Sequence, residues 1–71
     1  MWTKKTINGY TCQIKHFDAP SADFGINGGR ISKLWIAKDR KTYANYDRGW
    51  DIEPTTNEAK AVYEALVKEF N

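Results

Sequence analysis

Residues 42–70 read TYANYDRGWDIEPTTNEAKAVYEALVKEF, and within them the apolar period changes from two to about 3.6 at Pro54. Before the proline, Ala44, Tyr46, Trp50 and Ile52 alternate with Tyr43, Asn45, Asp47 and Asp51, the pattern of a strand with one buried face. After it, Ala59, Val62, Tyr63, Leu66 and Phe70 fall on one helical stripe, with Lys60, Glu64 and Lys68 opposite as i,i+4 charge pairs. Thr55 and Glu58 have the spacing of a capping box at the start of that helix. A helix of about 15 residues is roughly 22 Å long, and a seven-residue strand is roughly 23 Å long. The apolar stripe of the helix therefore matches one apolar sheet face in length, and strands followed by a single helix predict an α+β domain.

Working back toward the N-terminus, Asn8-Gly9 lies between Trp2–Ile7 and Tyr10–Phe17. Both turn residues tolerate the positive φ of a type I′ turn, so the first two strands pair as an antiparallel hairpin. In the second strand Tyr10, Cys12 and Ile14 alternate with Thr11, Gln13 and Lys15, which puts the even positions toward the core. Residues 18–29 shift to Asp, Ala, Pro, Ser, Gly and Asn and read as a loop, with Phe24 and Ile26 tucking its middle down. Arg30–Lys38 reads as the third strand and Asp39-Arg40-Lys41 as a polar turn. A three-residue turn sets Leu34 and Ile36 on the face of Ala44 and Tyr46, and leaves Lys33, Trp35 and Tyr43 on the other. The expectation is a three- to four-stranded antiparallel sheet, a β-meander packed on one C-terminal helix, as a single β-β-β-β-α domain over residues 1–71.

Composition bounds what such a domain can be. Leu, Ile, Val and Phe are only 13 of the 71 residues, but three Trp and four Tyr supply bulk, and the net charge is +2. A core rich in Tyr and Trp must also find partners for their O–H and N–H groups. The single cysteine, Cys12, closes no intrachain disulfide, in keeping with a reducing cytoplasm. Neither an apolar signal-peptide stretch nor an 18-residue apolar run is present, so a cytoplasmic protein without membrane attachment, working as a monomer, is expected.

Little in the sequence supports catalysis. Gly25-Ile26-Asn27-Gly28-Gly29-Arg30 places glycines before a basic residue, but a strand follows where a phosphate loop needs a helix, so the stretch reads as a structural turn. Asp51 and Glu53 have a spacing like that of a glycosidase pair, yet a domain this small builds no cleft around them. Cys12 and His16, four apart on a strand, stand about 13 Å from one another, too far for a shared metal. Ser21 and Ser32 have no base near them in sequence. No enzyme activity, cofactor or metal is expected.

The sheet face away from the helix is different, because Gln13, Lys15, Lys33, Trp35, Tyr43 and Asn45 interleave cations and aromatic rings on it. Lysines neutralise phosphates while rings stack, so this pattern suits nucleic acid as well as a protein partner, and Asp47 and Asp51 temper it. An ordinary solvated face accounts for the same residues without any ligand. Tyr46-Asp47-Arg48-Gly49-Trp50-Asp51 reads either as a recognition edge anchored by Arg48 or as a bulge at Gly49. The candidate binding residues are Lys15, Arg30, Lys33, Trp35, Tyr43 and Arg48.

GINGGRISKL at 25–34 and YDRGWD at 46–51 resemble segments of a family of small uncharacterised proteins, a domain of unknown function, from Gram-positive bacteria and their phages or mobile elements. The likeness runs from the second strand to the helix. It implies a cytoplasmic bacterial setting and assigns no activity and no residue role. In element order, a three-stranded sheet before one helix also resembles integrase N-terminal DNA-binding modules. The expected function is a non-catalytic protein-interaction or accessory module, the alternative a nucleic-acid-binding module using Lys15, Lys33, Trp35 and Tyr43.

Overall fold

The computed structural model describes residues 2–71. Five strands, β1 (Trp2–Ile7), β2 (Tyr10–His16), β3 (Ile31–Lys38), β4 (Lys41–Asp47) and β5 (Trp50–Ile52), precede one helix, α1 (Asn57–Phe70). The strands form one sheet in the order β1-β2-β3-β4-β5, every neighbour antiparallel. The α+β meander expected from the sequence is present with one strand more, because the last predicted strand is two. Arg48 takes a left-handed φ of 58° and the chain turns back at Gly49, so β5 pairs with β4 instead of continuing it.

The first hairpin turns through Asn8 (φ 51°) and Gly9 (φ 82°), the positive-φ pair that a type I′ turn requires. Asp39 (φ 51°) and Arg40 (φ 65°) close β3 onto β4 in the same manner without a glycine, at a cost of about 1–2 kcal/mol for a residue such as Arg40. This turn therefore holds two residues, not three. The difference is absorbed by a bulge: Ala37 faces Thr42 while Ile36 faces Ala44, and Tyr43 is the extra residue. Beyond the bulge Leu34 lies opposite Tyr46, as a three-residue turn would have placed it.

Even positions of β2, β3 and β4 meet α1. Cys12, Ile14, Leu34, Ile36 and Ala44 are buried against Ala59, Val62 and Leu66 of the helix, together with Ile26 and Ile31. Each fully buried Ile or Leu contributes roughly 1.5–3 kcal/mol. The helix is capped by Thr56, whose hydroxyl accepts from the Ala59 N–H at 3.1 Å, so the expected Thr55 cap is one residue early. Glu58, freed from a capping box, instead accepts from the Tyr10 hydroxyl at 3.4 Å. At the other end Lys5 of β1 donates to both carboxylate oxygens of Glu69 at 2.7 Å.

The loop between β2 and β3 is pinned from two sides. A short 3-10 turn, Ile26–Gly28, drops Ile26 into the core, while Phe24, expected to tuck in with it, stays 45% exposed. The carbonyl of Phe24 accepts the Tyr46 hydroxyl at 3.1 Å. Asn71, just past α1, accepts from the Ile31 N–H and donates to the Ile26 carbonyl, both at 3.0 Å. Gly25 is held so close to the Gly29 and Ser21 carbonyls that a Cβ there has no room.

Candidate functional site

With α1 on one side, no helix or strand among the described residues covers the opposite side of the sheet, and strand register sets out its side chains in rows. Trp2, Lys15, Lys33 and Asp47 pair in sequence across β1 to β4. The next row runs Lys4, Gln13, Trp35, Asn45 and Ile52, the last from β5. A register shift between Asn45 and Tyr46 turns Ile52 to this side, where it is 43% exposed, although its even number had assigned it to the core. Trp50, by contrast, keeps the core side, edge-on to Tyr46 at 5.1 Å and to Tyr63 at 5.4 Å.

Two shallow cavities lie next to one another here. One, of about 270 Å³, is lined by Trp2, Trp35, Lys33, Asn45 and Asp47. The other, of about 260 Å³, is lined by Lys15, Lys33, Arg48, Phe17, Phe24 and Ser32. Lys33 belongs to both. Its ammonium group is 3.6 Å from Asp47, a half-exposed pair worth at most about 1 kcal/mol that a ligand can reorganise. Trp35 donates its indole N–H to the Thr42 hydroxyl at 3.1 Å, so what it offers a ligand is ring surface and not a hydrogen bond. The Arg48 guanidinium lies 5.8 Å from the centre of the exposed Phe24 ring. Ser32, the extra residue in a bulge of β3 against Lys15 and His16, donates to the Lys15 carbonyl at 3.2 Å.

Of the six residues expected from the sequence, Lys15, Lys33, Trp35 and Arg48 lie around these two cavities. Tyr43 does not. As the bulge residue it turns to the helix side, where its ring meets Tyr10 edge-on at 5.4 Å and Lys41 caps it at 5.0 Å, so it is withdrawn from the proposed surface. Arg30 stands outside both cavities, just before β3, and its carbonyl accepts the Phe17 N–H at 2.8 Å. Trp2 and Lys4 were missed, yet the Asn8-Gly9 turn fixes their register opposite Lys15 and Gln13 and so could have found them. Phe17 and Phe24 sit in loop segments whose direction no periodicity reports.

Around the two cavities and the β1 row beside them, four cations (Lys4, Lys15, Lys33 and Arg48) stand against one carboxylate, Asp47. A groove of about 510 Å³ lies on the helix side between Trp50, Tyr63, Glu53 and Glu64. Burial raises the Tyr63 phenol above its ordinary value, against an opposing hydrogen bond from Asn27. Cys12 is buried in the core, which pushes its thiol up and away from the reactive thiolate. Among the described residues no group of three or more His, Cys, Asp or Glu is placed to hold a metal ion, and no helix is long and apolar enough to cross a membrane.

A family model matches the chain over residues 1–71. The chain belongs to the family described as Domain of unknown function (DUF7678). The likeness drawn from the sequence to a domain of unknown function is met at this level, and the match extends over β1 and the first turn as well. No curated protein and no solved structure matches the chain. Membership in this family brings no activity with it, and the geometry of the uncovered sheet face is what a functional reading has to work from.

Proposed function

We propose that the domain is a non-catalytic binding module that docks an anionic partner on the sheet face opposite α1. The observation that carries this reading is the gathering of Lys15, Lys33 and Arg48 around two adjoining cavities beside Trp2 and Trp35, with Lys4 on the neighbouring strand, where Asp47 is the one carboxylate lining those two cavities. Two copies of the same face repel one another, which favours a different, negatively charged molecule over self-association. An acidic protein segment and a nucleic-acid strand both satisfy that charge. A non-enzymatic role is supported by the buried, raised Cys12 thiol and by Ser32, whose hydroxyl is spent on the Lys15 carbonyl. The setting we propose is the cytoplasm of Gram-positive bacteria or their mobile elements, with the protein acting as a monomeric accessory factor.

The test is a nitrogen-15 amide shift titration with a generic polyanion, poly-glutamate or heparin, at low ionic strength. The reading expects shifts at Lys15, Lys33, Trp35 and Arg48 that fade as salt is added. Shifts confined to α1, or none at low salt, reject it.

A further inference from the structure

We infer that the anionic partner is a single-stranded nucleic acid, with a base seated against the Trp2 and Trp35 indoles and its phosphate at the corner made by Lys15, Lys33 and Arg48. The inference rests on the anionic-partner reading and goes further by naming the chemistry. It starts from the division of labour between the two adjoining cavities. The one lined by Trp2, Trp35 and Asn45 presents ring surface and a carboxamide, and it holds the carboxylate of Asp47, which disfavours a phosphate there. The one lined by Lys15, Lys33 and Arg48 has three cations, a serine hydroxyl and no carboxylate. A neutral, flat group beside a compact anion is what one nucleotide supplies and what an acidic side chain does not.

The spacing agrees. Lys33 and Trp35 are two residues apart on the same side of β3, roughly 7 Å, which is about the reach from a nucleotide's base to its own phosphate. The indole N–H of Trp35 is already bonded to Thr42, leaving the ring for stacking, which tolerates any base. Asn45 lines the same cavity and has both a donor and an acceptor for a base edge. A duplex fits poorly: five strands span roughly 19 Å across, whereas the major groove is about 12 Å wide and admits a helix or a two-stranded ribbon.

Fluorescence anisotropy with labelled oligo-dT, a duplex of equal length and poly-glutamate of equal charge tests this on the full chain. Three phosphate contacts give a log–log salt slope near −2, so oligo-dT affinity should fall about 100-fold for each tenfold rise in salt. Trp35→Ala should weaken oligo-dT about 5- to 150-fold, and Trp35→Phe, which keeps a ring, should restore most of the loss. Lys15→Glu should flatten the salt slope, while Lys60→Glu on the helix should leave it unchanged. Quenching of native tryptophan emission by oligo-dT supplies the same evidence without a variant. If poly-glutamate binds as well as oligo-dT and both Trp35 variants bind normally with no quenching, the nucleic-acid inference is overturned and the anionic-partner reading survives. If neither polyanion binds at low salt, both fall. A duplex that outcompetes oligo-dT also overturns the inference.

Discussion

Replacing Asn71 by alanine isolates the tie that joins the end of α1 to the start of β3. The side chain makes two hydrogen bonds of 3.0 Å, one from the Ile31 N–H and one to the Ile26 carbonyl, and both partner residues are at most 1% exposed. A neutral hydrogen bond contributes about 1 kcal/mol net, and a buried group left unpaired costs about 1–3 kcal/mol. Water can enter the space vacated beside Gly29, so we take the lower figure for each bond and expect Asn71→Ala to lose about 2 kcal/mol. In a domain of this size that is about 8–16 °C in Tm. Urea melts followed by circular dichroism measure the loss, and amide exchange at Ile31 localises it, because that N–H should lose its protection. Asn71→Asp keeps the acceptor for Ile31 and drops the donor for Ile26, so it should preserve that protection at an intermediate stability. A variant Asn71→Ala that melts within about 0.5 kcal/mol of the parent with Ile31 still protected would refute the reasoning.

Three further outcomes follow from the packing. Gly25→Ala should destabilise by about 1–3 kcal/mol, because the new Cβ meets backbone carbonyls that cannot move aside, whereas Gly49→Ala, with nothing within 4 Å, should be neutral or slightly stabilising; equal melts for the two would contradict this. Thr56→Ala should cost about 1 kcal/mol and Thr55→Ala less than half of that, a comparison of thermal melts that identifies the cap. Burial raises the pKa values of Tyr10, Tyr63 and Cys12 above their ordinary 10.0, 10.0 and 9.0, with the Glu58 carboxylate adding to the effect at Tyr10. These groups hold their protons more tightly when folded, so their contribution is complete below the unfolded values and is lost as pH rises through the raised ones. Urea midpoints should therefore be level through neutral pH and fall above about pH 9 to 10, less steeply in Tyr10→Phe, and a midpoint that holds to about pH 11 would count against it.

The parts of this fold that were legible are those governed by short-range rules. Asn8-Gly9 fixed the first hairpin because both residues accept positive φ, and the Ala59, Val62 and Leu66 stripe identified the helix and its buried side. What was not legible depends on left-handed residues of unsuited type and on bulges. Nothing about Arg40 or Arg48 announces a positive φ, so the two-residue turn before β4 and the reversal before β5 were hidden. The turn error then displaced one residue with functional weight, Tyr43, which the bulge moved to the far side. Within the candidate site, Lys15, Lys33 and Trp35 followed from strand alternation alone. Phe17, Phe24 and Ser32 could not, since only the closing of the β2–β3 loop onto β4 brings them beside Arg48.

β1 is one of the two outer strands, and Lys4 and Lys5 occupy its middle, one on each side of the sheet. If two molecules tried to extend their sheets by aligning these strands head to tail, any register near the centre would bring ammonium groups of one copy against those of the other. The unsatisfied amides and carbonyls along that border are thus protected by charge instead of by a covering segment, and high salt, which screens that repulsion, is the condition under which ribbon-like growth should first become detectable.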